Sequence, residues 1–163
     1  MKTLLIVWHS RTGAARRMAQ AAVAGAASER EVAVRLRPAQ EADAADLLAA
    51  DGYLFACPEN LASMSGEMKA FFDRTYYPCL ERLNGRPYAA MIAAGSDGTG
   101  AARQLARIAA GWRLKAIAEP LIVGTQAQTP EAILAAKTLT EAQLAPCTEL
   151  GAALASGLAL GVF

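Results

Sequence analysis

Apolar and polar positions along the chain follow two alternating periods. Leu4 to Trp8 is a continuous apolar run with β-branched content, the pattern of a strand covered on both faces in a parallel sheet. Ser10-Arg11-Thr12-Gly13 interrupts it. From Ala14 strong helix formers take over, with Met18, Ala21 and Ala22 at helical spacing, which predicts a helix to about Ser28. Glu31 to Leu36 alternates, with Val32, Val34 and Leu36 on one side and Pro38 closing it, which predicts a half-covered strand near an edge. A short polar-start helix over 41–50 follows. Gly52 to Cys57, apolar throughout, then predicts a central third strand stopped by Pro58.

The second half repeats the scheme. The stretch 58–66, PENLASMSG, is long for a strand-to-helix loop, and Ser63 or Ser65 can cap the helix after it, which should end near Tyr76-Tyr77-Pro78. PYAAMIAA at 87–94 predicts a fourth buried strand, GSDGTG at 95–100 another glycine-rich loop, and Ala101 to about Ala110 a helix ended by Gly111. Leu114 to Val123 reads as the fifth strand, with Pro120 at a bulge or an edge. Thr129-Pro130-Glu131 starts a short helix. Thr140-Glu141-Ala142-Gln143 is a capping box for the last one, in which Pro146 predicts a kink or a start nearer Thr148. Five strands alternating with about five helices imply one domain over 1–163. Its fold class is α/β: a doubly wound five-stranded parallel sheet in the order 2-1-3-4-5, with helices on both faces.

Composition narrows the class. At 163 residues the chain can build one full core. It is 54% apolar but only 6% aromatic, so alanine and leucine must supply the helix faces that cover the sheet. A formal charge of +1 gives no electrostatic reason to expect a nucleic-acid partner, and Arg16-Arg17 reads as a solvated face. Cys57, Cys79 and Cys147 are widely spaced and form neither a metal motif nor a disulfide framework, which points to a reducing, cytoplasmic setting. No apolar run approaches the roughly 20 residues of a membrane span, and the run after Lys2 is too short for a signal peptide.

In this strand order the loops after strands one, three and four lie side by side. The first sets helix N–H groups, the Ser10 and Thr12 hydroxyls and a close-approach Gly13 around one point. That is an anion site with no dedicated lysine. The other two offer backbone donors and small residues with space for a flat ring. A phosphate at one end and a planar group at the other describe a mononucleotide, and flavin mononucleotide (FMN) is the expected occupant of this switch point.

Three stretches, SRTG at 10–13, PENLASMSGEMKAFFDRTYYP at 58–78 and AGSDGTG at 94–100, also resemble the flavodoxin-like family. The likeness is to its short bacterial branch related to NAD(P)H-dependent FMN reductases and flavin-dependent quinone reductases, over nearly the whole chain. The second stretch is the most specific, since a proline-led loop, an S-G pair and a K-x-F-F-D-R helix occur in the family's order. The resemblance implies that Ser10, Arg11, Thr12, Gly13, Ala14 and Ala15 surround the FMN phosphate. Pro58, Glu59, Asn60, Leu61 and Ala62 would run along the isoalloxazine ring, and Gly95, Ser96, Asp97 and Gly98 would close its other edge.

The activity so implied is hydride transfer from NAD(P)H to a quinone or similar small acceptor, with no side chain required as acid or base. A one-electron flavodoxin-type carrier is the alternative, disfavoured by the near-neutral charge. A module that binds flavin weakly is a third, left open because Ala14-Ala15 stand where the family often has Asn-Thr. Asn60-Leu61 stand where many members carry an aromatic ring, so stacking from within the chain is poor. A homo-oligomer in which a neighbouring subunit lends the ring is therefore expected.

Other owners of similar folds fail on residues. A receiver domain needs an aspartate where the third strand ends at Cys57-Pro58, and a low-molecular-weight phosphatase needs Cys-x5-Arg, whose arginine position from Cys57 is Ser63. His9 is expected to bond backbone rather than to serve the flavin or a substrate, Cys57 to be a buried hydrophobe, and Glu59 either to face solvent or to sit near the flavin, where its charge would disfavour reduction. Asp97 either caps a helix or meets the ribityl side, and Tyr76, Tyr77 and Trp112 belong to the core or a subunit contact.

Overall fold

In the computed structural model, which describes residues 1–163, the chain opens with β1 (Lys2–Trp8), α1 (Ala14–Ala26), β2 (Val32–Pro38), α2 (Ala44–Ala49) and β3 (Gly52–Asn60). It continues through β4 (Ser63–Met64), α3 (Gly66–Cys79), β5 (Pro87–Ala94) and α4 (Thr99–Gly111). It closes with β6 (Lys115–Ala116), β7 (Leu121–Gly124), α5 (Pro130–Leu134) and α6 (Glu141–Leu160). The parallel order is β2-β1-β3-β5, with β6 and β7 both on the far side of β5. This is the expected 2-1-3-4-5 winding.

Alternate residues of each strand feed two cores. Leu5, Val7, Tyr53, Phe55 and Ile92 pack with Met68, Phe71, Phe72, Leu105 and Trp112 under α2, α3 and α4. Leu4, Ile6, Leu54 and Met91 pack with Met18, Ala22, Leu154 and Leu158 under α1 and α6. Each large side chain so buried contributes about 1.5–3 kcal/mol. The aromatic rings gather in the first core. Trp112 stacks on Tyr76 with centroids 5.7 Å apart and donates its indole N–H to the Tyr76 carbonyl, whereas Tyr77 is exposed. The second core is alanine-lined and closer. A Cβ on Gly151 would run into the Ala22 carbonyl, so α1 and α6 cross at backbone contact.

Three expectations are corrected. The third strand does not stop at Pro58 but runs on to Asn60 and folds back as β4, so 58–66 is a hairpin rather than a loop. The reason is parity: Ala56 turns its carbonyl toward β1, where it accepts from His9 N–H, so Pro58 faces the same way, beyond the end of the β1 pairing. No donor is needed there, and Pro58 still pairs in register with Ala93 of β5.

The fifth strand is split. Ala116 faces Tyr88 and Leu121 faces Met91, so two extra residues loop out before Pro120, giving seven strands in all. The last helix starts at Glu141 and not near Thr148, because both halves of the Thr140/Gln143 capping box form; Pro146 lies inside it. The third helix ends at Cys79, at the expected Tyr76-Tyr77-Pro78 break, with Pro78 in its final turn. No helix is long and apolar enough to cross a membrane.

Candidate functional site

The carboxyl ends of β1, β3 and β5 open on one cleft of about 310 Å³. Its walls include Ser10, Arg11, Thr12, Ala14, Ala15, Pro58, Glu59, Asn60, Leu61, Ala62, Gly95 and Ser96, so the three separated stretches converge. Gly13, Asp97 and Gly98 do not line it. Gly13 and Gly98 are the left-handed residues (φ +106° and +92°) that turn the chain into α1 and α4, and Asp97 is exposed beside α4.

Two helix N-termini therefore point at the cleft, and they differ in what they hold. At α4 three donors are taken. The Glu59 carboxylate accepts from Gly98 N–H (2.9 Å) and Ala101 N–H (3.0 Å), and Asp97 accepts from the Thr99 N–H and hydroxyl, bonds that hold the Asp97 carboxyl below its usual range. Glu59, half-buried in the cleft wall, thus turns its carboxylate to a helix end rather than to solvent. At α1 the only donor taken is Gly13 N–H, by Ser10 Oγ at 3.0 Å. The N–H groups of Thr12, Ala14, Ala15 and Arg16 have no protein acceptor, although Ala14 and Ala15 are buried. Orphan donors on buried residues at a helix start are what a bound dianion satisfies.

Another wall of the cleft is built by the β3–β4 hairpin. Its two-residue turn puts Leu61 (φ +52°) and Ala62 (φ +63°) in the left-handed region, where non-glycine residues cost about 1–2 kcal/mol each. The turn is held down because Gln104 Oε1 accepts from Met64 N–H (2.8 Å) and Ser63 Oγ (3.0 Å), and because Gly100 has no Cβ to meet the Ala62 carbonyl. Leu61 is wholly exposed at the rim, and no aromatic side chain lines the cleft.

The segment 125–140 completes the walls. Thr125, Ala127, Ile133 and Lys137 all line the cleft, none of them anticipated. Thr125 N–H bonds the Ala94 carbonyl and Lys137 N–H the Thr12 carbonyl, both 2.8 Å, so this stretch is stitched to the two loops at opposite ends.

His9 is buried beside the first loop. Its Nδ1 lies 2.8 Å from Ser65 Oγ and its Nε2 3.4 Å from Glu67, so it bonds side chains rather than backbone. Burial lowers its pKa from 6.5, opposed by Glu67. Burial fits a neutral ring hydrogen-bonded to Ser65, with the Glu67 carboxylate close by. Ser65 therefore does not cap α3 with its side chain. Burial pushes the Cys57 thiol up to about 12, which makes it an inert core residue.

A doubly wound sheet with an open anion site at its switch point defines a flavodoxin-like α/β protein. A flavodoxin from the domain Archaea superposes with a TM-score of 0.77 at 19% identity, covering 96% of this chain and 99% of its own, which speaks to the fold alone. The family model described as NADPH-dependent FMN reductase matches residues 27–128, and the chain belongs to that family of FMN-binding oxidoreductases. It is 33% identical over 100 residues to a flavodoxin of Aquifex aeolicus (strain VF5), covering 61% of this chain. It is 43% identical over 61 residues, 37% of this chain, to a protein of Arabidopsis thaliana named "Probable NAD(P)H dehydrogenase (quinone)". The aligned stretches span 54% and 22% of those two relatives.

Proposed function

We propose that the chain is an FMN-dependent reductase that takes a hydride from NAD(P)H and delivers electrons to a quinone or a similar small acceptor. The observation that carries this reading is the contrast between the two helix starts: α4 is capped by Glu59, whereas α1 presents free N–H groups to the same cleft. When bound, the flavin supplies the redox chemistry, and the protein supplies binding, orientation and access.

In this reading Thr12, Ala14, Ala15 and Arg16 hold the phosphate through backbone N–H groups, with the α1 dipole adding to the attraction. Asn60, Leu61 and Ala62 on one side and Gly95 and Ser96 on the other border the ring. Glu59 anchors the wall and keeps its own charge off the ring by bonding to α4. No aromatic of the same chain lines the cleft, which leaves room beside the ring for a nicotinamide or a quinone. We propose further that a second copy of the chain supplies the missing aromatic; a monomer in sedimentation with flavin fully bound would count against that.

A one-electron carrier is the second reading, supported by the name of the Aquifex relative. The test is anaerobic: the FMN-loaded protein is mixed with NADH or NADPH, and then with a soluble quinone. Bleaching of the flavin followed by recovery supports the reductase. Bleaching by dithionite but by neither nicotinamide supports the carrier.

A further inference from the structure

The anion subsite has a cation that its local motif does not reveal. Lys137 lies 125 residues from Thr12, yet its Nζ donates to Thr12 Oγ1 at 3.4 Å while also bonding the carbonyls of Ile133 (2.9 Å) and Ala135 (2.6 Å). Its backbone N–H donates to the Thr12 carbonyl, and its side chain lines the cleft together with Ser10, Arg11 and Thr12. The ammonium is therefore held at the mouth of α1 by three neutral oxygens and no carboxylate. The one acidic residue lining the cleft, Glu59, is committed to α4. A positive charge with only dipolar partners, beside helix donors that have none, is poised for a phosphate.

We propose that Lys137 is the counter-charge of the flavin phosphate, and that it makes this cleft select the phosphorylated flavin over riboflavin. The inference rests on the FMN reading above and adds to it. The chain lacks a hydroxyl at Ala14 and Ala15, and Lys137 compensates from the segment 125–140, which carries the ammonium on the same strap that closes the cleft. An arginine at this position would keep the charge, and a glutamine would keep the reach without it.

The experiment uses the full chain as wild type, Lys137→Gln and Lys137→Arg. Each is titrated with FMN and with riboflavin by flavin fluorescence, and melted with and without inorganic phosphate. One charge-assisted hydrogen bond corresponds to a loss of roughly 10- to 150-fold in affinity. Lys137→Gln should weaken FMN by that factor, leave riboflavin unchanged and flatten the salt dependence of FMN binding, and Lys137→Arg should restore most of the FMN affinity. Equal loss for both flavins would show that the strap, not the charge, matters, and would overturn the proposal, as would undiminished FMN binding. If wild type binds neither flavin yet phosphate raises its melting midpoint and not that of Lys137→Gln, the flavin reading falls and the anion role of Lys137 stands; without that phosphate effect both fall.

Discussion

Replacing Glu59 with alanine removes one carboxylate and two helix-capping bonds at once. The bonds to Gly98 N–H and Ala101 N–H, 2.9 and 3.0 Å, are charge-assisted and tie the end of β3 to the start of α4 across about forty residues of sequence. Left unpaired, two such donors would cost about 1.5–3 kcal/mol each. Glu59 is only half-buried, so water recovers roughly half of that, and the expected loss is about 1.5–3 kcal/mol. For a chain of this length each kcal/mol moves the melting midpoint by about 2–4 °C, which places the variant about 3–12 °C below wild type. Thermal melts by circular dichroism read this directly.

Glu59→Gln is the informative control. Its carbonyl can accept one N–H while its amide confronts the other, so it should recover no more than half of the loss. Because Glu59 bonds the start of α4 and not that of α1, Glu59→Ala should weaken FMN and riboflavin in parallel, unlike Lys137→Gln. A melting midpoint within about 1 °C of wild type, or a loss confined to FMN, would refute the capping role.

The remaining predictions concern strain, packing and pH. Ala62→Gly should stabilise by about 0.5–1 kcal/mol, since relief of roughly 1–2 kcal/mol of left-handed strain exceeds the roughly 0.4–1 kcal/mol lost to a freer unfolded chain; urea unfolding with an unchanged midpoint would contradict the turn geometry. Gly151→Ala should destabilise by about 1–2 kcal/mol despite the roughly 1 kcal/mol that alanine gains in helix propensity, because its Cβ meets the Ala22 backbone; a stabilised variant in the same assay would mean that α1 and α6 do not touch there. Burial lowers the folded pKa of His9 below 6.5, so the unfolded chain binds the extra proton first. Stability should be intact above pH 6.5 and fall as the pH drops from 6.5 toward the folded value, and His9→Gln should remove that part of the slope.

The winding and the convergence of three loops were legible because they follow from period, from parallel-strand topology and from the glycines at 13, 95 and 98. What escaped depends on contacts that leave no local trace. Pro58 reads as a stop unless the side its missing donor faces is known. The Leu61-Ala62 turn carries no Asn-Gly signal, because its strain is borne by Gln104 and by the space at Gly100. Glu59 finds its partners 39 and 42 residues away, and Lys137 finds Thr12 at 125, both through backbone atoms or a single flexible chain, which no spacing rule encodes. The split in the fifth strand was half visible, since Pro120 marked the place but not the two residues that loop out.

The free donors at the start of α1 are the centre of the account, and amide NMR of the full chain titrated with FMN reads them one by one. The largest shifts are predicted at Thr12, Ala14, Ala15 and Arg16, with Gly98 and Ala101 little changed because Glu59 already holds them. Shifts centred on the α4 amides, or none at the α1 start under saturating FMN, would contradict it.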